Sequence, residues 1–238
     1  MTNDKTLRRI KSFVLRAGRL SPRQKLGLEQ WLPNYQLTLE DAPWNMTECF
    51  GRSADVVIEL GFGMGQTLIA MAQAQPQINF LGIEVHQAGI GSLAAELHDH
   101  AIQNVRIAPY DAVEVLQQGI AADTLAGINI FFPDPWPKLR HHKRRLIQPE
   151  FVSLVLEKIK PGGFIHLATD WQDYAMHMLD VLSHQPDLVN HQPGGGFIPR
   201  PESRPLTKFE QRGMNLGHEV WDLLFTRKMM VAQKVQTP

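Results

Sequence analysis

The 238-residue chain has a single cysteine, Cys49, so it can form no internal disulfide and offers no pair of thiolates to a metal. Net charge is missing too. The 24 Lys and Arg residues balance 24 Asp and Glu, so affinity for a polyanion must come from local segregation of charge. No apolar run approaches the roughly 18 residues that cross a bilayer. The start, Met-Thr-Asn-Asp-Lys-Thr-Leu-Arg-Arg-Ile-Lys, lacks the apolar stretch and small-residue cleavage site of an export signal. The expectation is a cytoplasmic protein without a membrane partner. Repeats and low-complexity segments are absent as well, which excludes a solenoid.

What is present is ordinary in bulk and uneven in detail. A hydrophobic share of 43% and a length of 238 residues suit one sizeable core, one α/β domain with an extension. Residues 1–25 hold Lys5, Arg8, Arg9, Lys11, Arg16, Arg19, Arg23 and Lys25 against Asp4 alone. With little apolar periodicity, this arm reads either as a solvated tail or as a mobile segment that meets a polyanion. The expected organisation is an N-terminal basic extension over 1–50, a domain over 51–228 and a disordered tail over 229–238.

Apolar runs and helical periodicities alternate from residue 55 onward. Strands are expected over 55–60, 79–85, 105–108, 127–132 and 164–169. Helices fall over 66–74, 89–100, around 113–116, over 149–159 and over 171–182. Pro161-Gly162-Gly163 reads as a turn, 193–205 as an irregular Gly- and Pro-rich stretch, and 220–226 as a closing strand. This pattern predicts an α/β fold, a mostly parallel doubly wound sheet with helices on both faces and an antiparallel closing strand. Ligands of such sheets bind beyond the carboxyl ends of the strands, where the strand order reverses.

Glu59-Leu-Gly61-Phe-Gly63-Met-Gly65 follows the first strand and precedes a helix. A phosphate-binding loop needs Gly-Lys-Ser/Thr, but Gln66 and Thr67 follow Gly65, which excludes nucleoside triphosphate hydrolysis. A dinucleotide loop wants its third glycine three positions past the second, where Gln66 stands, so NAD is disfavoured but survives. S-adenosyl-L-methionine needs no phosphate site and suits acids at strand ends. Glu84 can accept from the ribose hydroxyls, Asp111 from the adenine amine, and Glu59 lies beside the methionyl part. Each acid alone could be a solvated loop residue. Together with Asp134 they stand at four successive strand ends.

The segment Phe131 to Arg145 places Asp134 among Pro133, Pro135 and Pro137, just before Lys138, Arg140, His141, His142, Lys143, Arg144 and Arg145. Prolines stiffen the acid's support, and the cations form a phosphate grip. Trp136 could stack on a base or serve as a pocket wall. The ten histidines show no i, i+4 pairing with an acid partner, so no metal is assigned.

With these motifs, and with Thr207-Lys208-Phe209-Glu210-Gln-Arg-Gly213, the chain closely resembles the bacterial tRNA (guanine-N7-)-methyltransferases, which are Rossmann-like enzymes. The resemblance implies transfer of the methyl group of S-adenosyl-L-methionine to N7 of a guanine in tRNA, usually in the variable loop. It assigns Glu59, Gly61, Gly63, Gly65, Glu84, Asp111 and Asp134 to the cofactor, with Asp134 also catalytic. Lys138, Asp170 and Thr207, Lys208, Phe209 and Glu210 fall to the substrate, and Arg140 to Arg145 to RNA. Monomer and homodimer both remain open.

N7 carries a free lone pair and no proton, so no general base is needed. Asp134 is expected to orient the base and to support the positive charge that moves onto the purine. Asp170 could read guanine N1-H and its amine, or simply cap the following helix. From the residues alone, Thr207 to Gly213 could equally be a surface helix start. Other possibilities are a methyltransferase acting on adenine or protein, a dinucleotide-dependent oxidoreductase, and an RNA-binding protein with a vestigial pocket.

Overall fold

A computed structural model describes residues 18–207, 210, 211, 213, 217 and 219–229. Its centre is a seven-stranded sheet of β1 (Val56–Leu60), β2 (Asn79–Ile83), β3 (Val105–Ala108), β4 (Leu125–Phe131), β5 (Ile159–Thr169), β6 (Leu188–Asn190) and β7 (Trp221–Arg227). The order is β3-β2-β1-β4-β5-β7-β6, and β7 runs antiparallel to both neighbours. Strand order reverses between β1 and β4, where both neighbours are parallel. Every residue of β1 and β2 is buried, as covering both faces of a parallel sheet requires.

The covering helices are α3 (Gln66–Ala74), α4 (Gln87–Asp99), α5 (Ala112–Gln118), α6 (Pro149–Lys158) and α7 (Gln172–Ser183). Leu68, Met71, Leu93 and Leu97 close one face with Val57 and Phe80. Val115, Val155, Met178 and Leu182 close the other with Ile58, Ile128 and Ile165. The α/β reading therefore holds, with differences at its edges. β6, only three residues long, gave no periodic signal. Pro161-Gly162-Gly163, expected as a turn, lies inside β5, where the register slips between Leu125 and Gly127. The slip tolerates a residue with no amide hydrogen.

Residues 18–50 are more structured than the charge of the region suggested. Ser21 caps α1 (Pro22–Leu26): its hydroxyl accepts from Gln24 N at 3.2 Å, and Gln24 Oε1 accepts from Ser21 N at 2.9 Å. A π-turn over Gly27–Trp31 follows, and Trp31 stacks on His98 with ring centroids 3.4 Å apart. Backbones touch here: a Cβ on Gly27 would lie 1.9 Å from Gly91 O in α4. Arg23 reaches Glu96 at 2.6 Å and Asp99 at 2.8 Å. The expectation of a mobile arm therefore fails for residues 21–25, whereas residues 1–17 lie outside the described residues. Trp44, Met46 and Phe50, the last two on α2 (Met46–Phe50), enter the same core as β1 and β4.

Candidate functional site

The carboxyl ends of β1 to β4 surround a cleft of about 190 Å³, lined by Gly61, Glu84, Tyr110, Asp111, Phe132 and Asp134 among others. The glycine loop enters the lining through Gly61. Gly61, Gly63 and Gly65 have φ of 72°, 56° and 81°, a region costly for side chains with a Cβ. A Cβ on Gly89 would lie 2.0 Å from Gly63 O, so the start of α4 rests directly on the loop.

Glu84 pins that loop. Its Oε2 accepts from Gly63 N at 3.0 Å, and its Oε1 accepts from Val85 N at 2.7 Å and His86 N at 3.0 Å. A carboxylate has about four acceptor sites, so roughly one remains for a ligand, fewer than two ribose hydroxyls would use. Asp111 faces the cleft while capping α5, accepting from Val113 N at 3.0 Å and Glu114 N at 3.2 Å. Glu59 sits deeper. It is 3% exposed, its Oε2 is buried without a partner, and burial, then the nearby Glu84 charge, pushes its pKa up to about 8.

Asp134 is exposed on a segment whose flanking aromatics are strained. Phe132 has φ 53° and Trp136 φ 45°, unusual for bulky side chains and held only where the surroundings over-determine them. Phe132 N donates to Ala168 O at 2.8 Å. Arg144 lies 4.8 Å over the Trp136 ring, and His141 meets the same ring edge-on at 5.9 Å. Trp136 is thus a packed element of the segment.

The basic run divides by direction. Lys138, Arg140 and Lys143 are exposed, on or next to a 3₁₀ turn over Leu139–Arg144. Arg145, expected to contact RNA, is 3% exposed and turned inward. Its Nε donates to Pro135 O at 3.0 Å, one guanidinium nitrogen pairs with Asp173, and its face covers Tyr174 at 4.8 Å. That hydrogen bond holds the Asp173 carboxyl below its usual range. His142 also turns toward Asp173, at 3.8 Å. Desolvation, then the charges of Arg140, Arg144, Lys138 and Lys143, lowers the His141 pKa.

Asp170 follows β5 beside Trp171, Asp173 and Trp221 at an open depression. It does not cap α7; the cap position is Trp171, with no side-chain hydrogen bond. Thr207 Oγ1 accepts from Glu210 N at 3.0 Å, the helix start that the residues alone allowed. Lys208 and Phe209 lie outside the described residues. Glu210, expected at the substrate, is 3% exposed and gripped by Arg204 through two 2.7 Å contacts. Arg204 also holds Asp222 at 2.7 and 2.8 Å, and Asp222 takes His166 at 2.7 Å. Burial would raise the Asp222 pKa, but the His166 and Arg204 hydrogen bonds outweigh it and lower it. Sequence reasoning passed over Arg204, one arginine in a Pro-rich loop. Its one visible signal was the polar His166 inside a buried strand.

Among the described residues, no group of three or more His, Cys, Asp or Glu could hold a metal, and no helix is long and apolar enough to cross a membrane. Residues 53–223 match the family described as "Putative methyltransferase". A tRNA (guanine-N(7)-)-methyltransferase of Legionella pneumophila (strain Paris) is 60% identical over 226 residues, covering 94% of this chain and 95% of that protein. The chain belongs to the tRNA (guanine-N7-)-methyltransferase family. The family member of Salmonella choleraesuis (strain SC-B67) is 51% identical over 225 residues, covering 94% of each chain. A 30S ribosomal A1408 methyltransferase from an uncultured bacterium shares the fold at a TM-score of 0.57 and 15% identity, over 80% of this chain and 94% of that one.

Proposed function

We propose that the protein transfers a methyl group from S-adenosyl-L-methionine to N7 of a guanine in tRNA. The observation that carries this reading within the family is the exposed carboxylate of Asp134, set on a strained, proline-flanked turn at the mouth of the glycine-loop cleft. Bound there, the cofactor supplies an electrophilic methyl on a sulfonium.

Glu59, Glu84 and Asp111 fit that group. The buried, unpartnered Oε2 of Glu59 suits a cationic or donor-bearing ligand end, and the remaining acceptor capacity of Glu84 suits a ribose hydroxyl. Asp134 takes no proton from N7, which has none. It orients the purine and offsets the positive charge that the ring acquires. Asp170 serves the guanine edge, with Lys138 and Thr207 beside the substrate.

Lys138, Arg140, Lys143 and Arg144 hold tRNA phosphates. A groove of about 800 Å³ lined by Lys143, Arg144 and α5 shares Asp111 and Leu146 with the cofactor cleft, which supports a continuous path for the nucleic acid. Such an enzyme works in the cytoplasm, with its tRNA. Incubation with labelled S-adenosyl-L-methionine and unmodified tRNA, followed by nucleoside digestion, should place the label in 7-methylguanosine. Label in N6-methyladenosine, or none, refutes the reading.

A further inference from the structure

On the face of the sheet covered by α3 and α4, Phe131, Ala168 and Asp222 stand in register across β4, β5 and β7. His166 lies two residues before Ala168 and faces the same way. Arg204 arrives over this row from the loop ahead of β7. It is 1% exposed, among the largest side chains fully enclosed in the molecule. Nε and one terminal nitrogen grip Asp222, while both terminal nitrogens grip Glu210. Two carboxylates thus share one cation, and His166 supplies a further contact to Asp222.

The guanidinium face is used as well. Its carbon lies 5.8 Å from the Phe131 ring centroid and 5.7 Å from that of Phe132. Phe132 is the strained residue of the turn that presents Asp134, two positions on. The Arg204 carbonyl in turn accepts from Arg200 at 2.7 Å, and Ile198 N donates to Asp222 O at 2.9 Å, so the loop is tied at several points.

We propose that Arg204 is a positioning residue for methyl transfer, and that Glu210 acts on the site through it. This inference rests on the reading given under Proposed function. The grip joins three parts that sequence separates: the loop before Thr207, the start of β7 and the aromatic turn before Asp134. A positive φ at Phe132 persists only against a rigid backing, and the guanidinium plane is that backing. The planar fork is what the task demands. Lysine carries the same charge, but a single ammonium cannot hold two carboxylates edge-on and cover two rings. Glu210 has both carboxylate oxygens engaged with Arg204, so its effect on the substrate is indirect.

The test uses the full-length protein, unmodified tRNA and saturating S-adenosyl-L-methionine, with Arg204→Lys, Glu210→Gln and the double variant. Misplacing a reacting group by about 1 Å costs about 100-fold, so each single substitution should lower kcat by about that factor. KM for tRNA should stay within about three-fold, and cofactor affinity by calorimetry within about two-fold, because Glu59, Glu84 and Asp111 lie on other strand ends. The double variant should be no more than about three-fold worse than the weaker single, since both substitutions break one grip. Wild-type turnover in Arg204→Lys overturns the proposal. So do losses that multiply in the double variant, which show Glu210 acting on the substrate by itself.

If Arg204→Lys does not fold, Asp222→Asn and Glu210→Gln carry the test, as each leaves the arginine a neutral acceptor. Both must lower kcat with KM little changed; a rise in KM alone refutes the proposal. Failure of the unaltered protein to methylate tRNA is a different result, which removes the functional reading itself.

Discussion

At the ends of β1 and β2 the cleft is held by backbone hydrogen bonds, whereas beyond the end of β4 the turn that carries Asp134 is held from behind by charged side chains. On the first side three amide hydrogens converge on Glu84, and among the described residues no cation pairs with Glu59, whose burial and the Glu84 charge raise its pKa to about 8. On the second side Arg145 and Arg204, both buried, tie together segments apart in sequence, and the turn they back is strained at Phe132 and Trp136. Fixed peptide dipoles suit a wall that holds one ligand in one pose. Side-chain forks suit a wall that must present Asp134 to a large substrate, because they fix loops that have no ladder of their own.

The contrast can be broken most directly at Asp134. Asp134→Asn should lower single-turnover methyl transfer by about 1000-fold, while cofactor affinity by calorimetry changes less than about three-fold. Unchanged turnover would show that the charged wall is not where chemistry is assisted. On the opposite wall, Glu84→Ala strands three amide hydrogens and should cost about 3 kcal/mol of stability, with cofactor affinity down about 100-fold. Denaturant unfolding and calorimetry measure both, and a loss of affinity alone would mean that the glycine loop holds itself.

Glu59 sharpens the comparison through pH. Its folded pKa of about 8 lies above the ordinary 4.5, so the folded state binds this proton more tightly than the unfolded chain does. The stability this confers is present at acidic pH and is lost as pH rises from about 4.5 through 8. Glu59→Gln should abolish that slope and be more stable than the unaltered protein at pH 8.5 by at least about 2 kcal/mol. Parallel stability curves for the two proteins would place Glu59 in a wetter, paired environment.

Smaller effects belong to the surface. Arg140→Ala with Lys143→Ala should weaken tRNA binding and reduce the salt slope by about two, one per lost phosphate contact. Arg145→Ala is predicted to act differently, lowering turnover and stability, because that side chain holds Pro135 and Asp173. Arg23→Ala, which breaks exposed pairs with Glu96 and Asp99, should cost less than about 0.5 kcal/mol by thermal unfolding.

Much of this was legible in the chain. Alternation of apolar runs with helical periodicity located the strand–helix order from residue 55, and Gly61, Gly63 and Gly65 marked a loop because only glycine adopts those φ values cheaply. Ser21-Pro22-Arg23-Gln24 carries the serine, proline and glutamine spacing of a helix start inside a stretch dominated by positive charge. The direction of each cation between Lys138 and Arg145 was not readable. A 3₁₀ turn sends neighbours in the run to solvent, to Trp136 or to Asp173, and no periodicity in that short stretch announces which.

The sequence by itself determined the strand order's raw material, the glycine loop, the acids at the strand ends and the family to which they belong. Each of these depends on residues close together in the chain. Only the tertiary structure decided that Glu84 serves the loop before any ligand, that Glu59 keeps its proton, and that Arg145 and Glu210 face inward. Those outcomes depend on burial and on partners such as Gly63 for Glu84, 21 residues away, Asp173 for Arg145, 28 residues away, and Arg204 for Glu210, where desolvation and hydrogen-bond geometry decide what a charged side chain can touch.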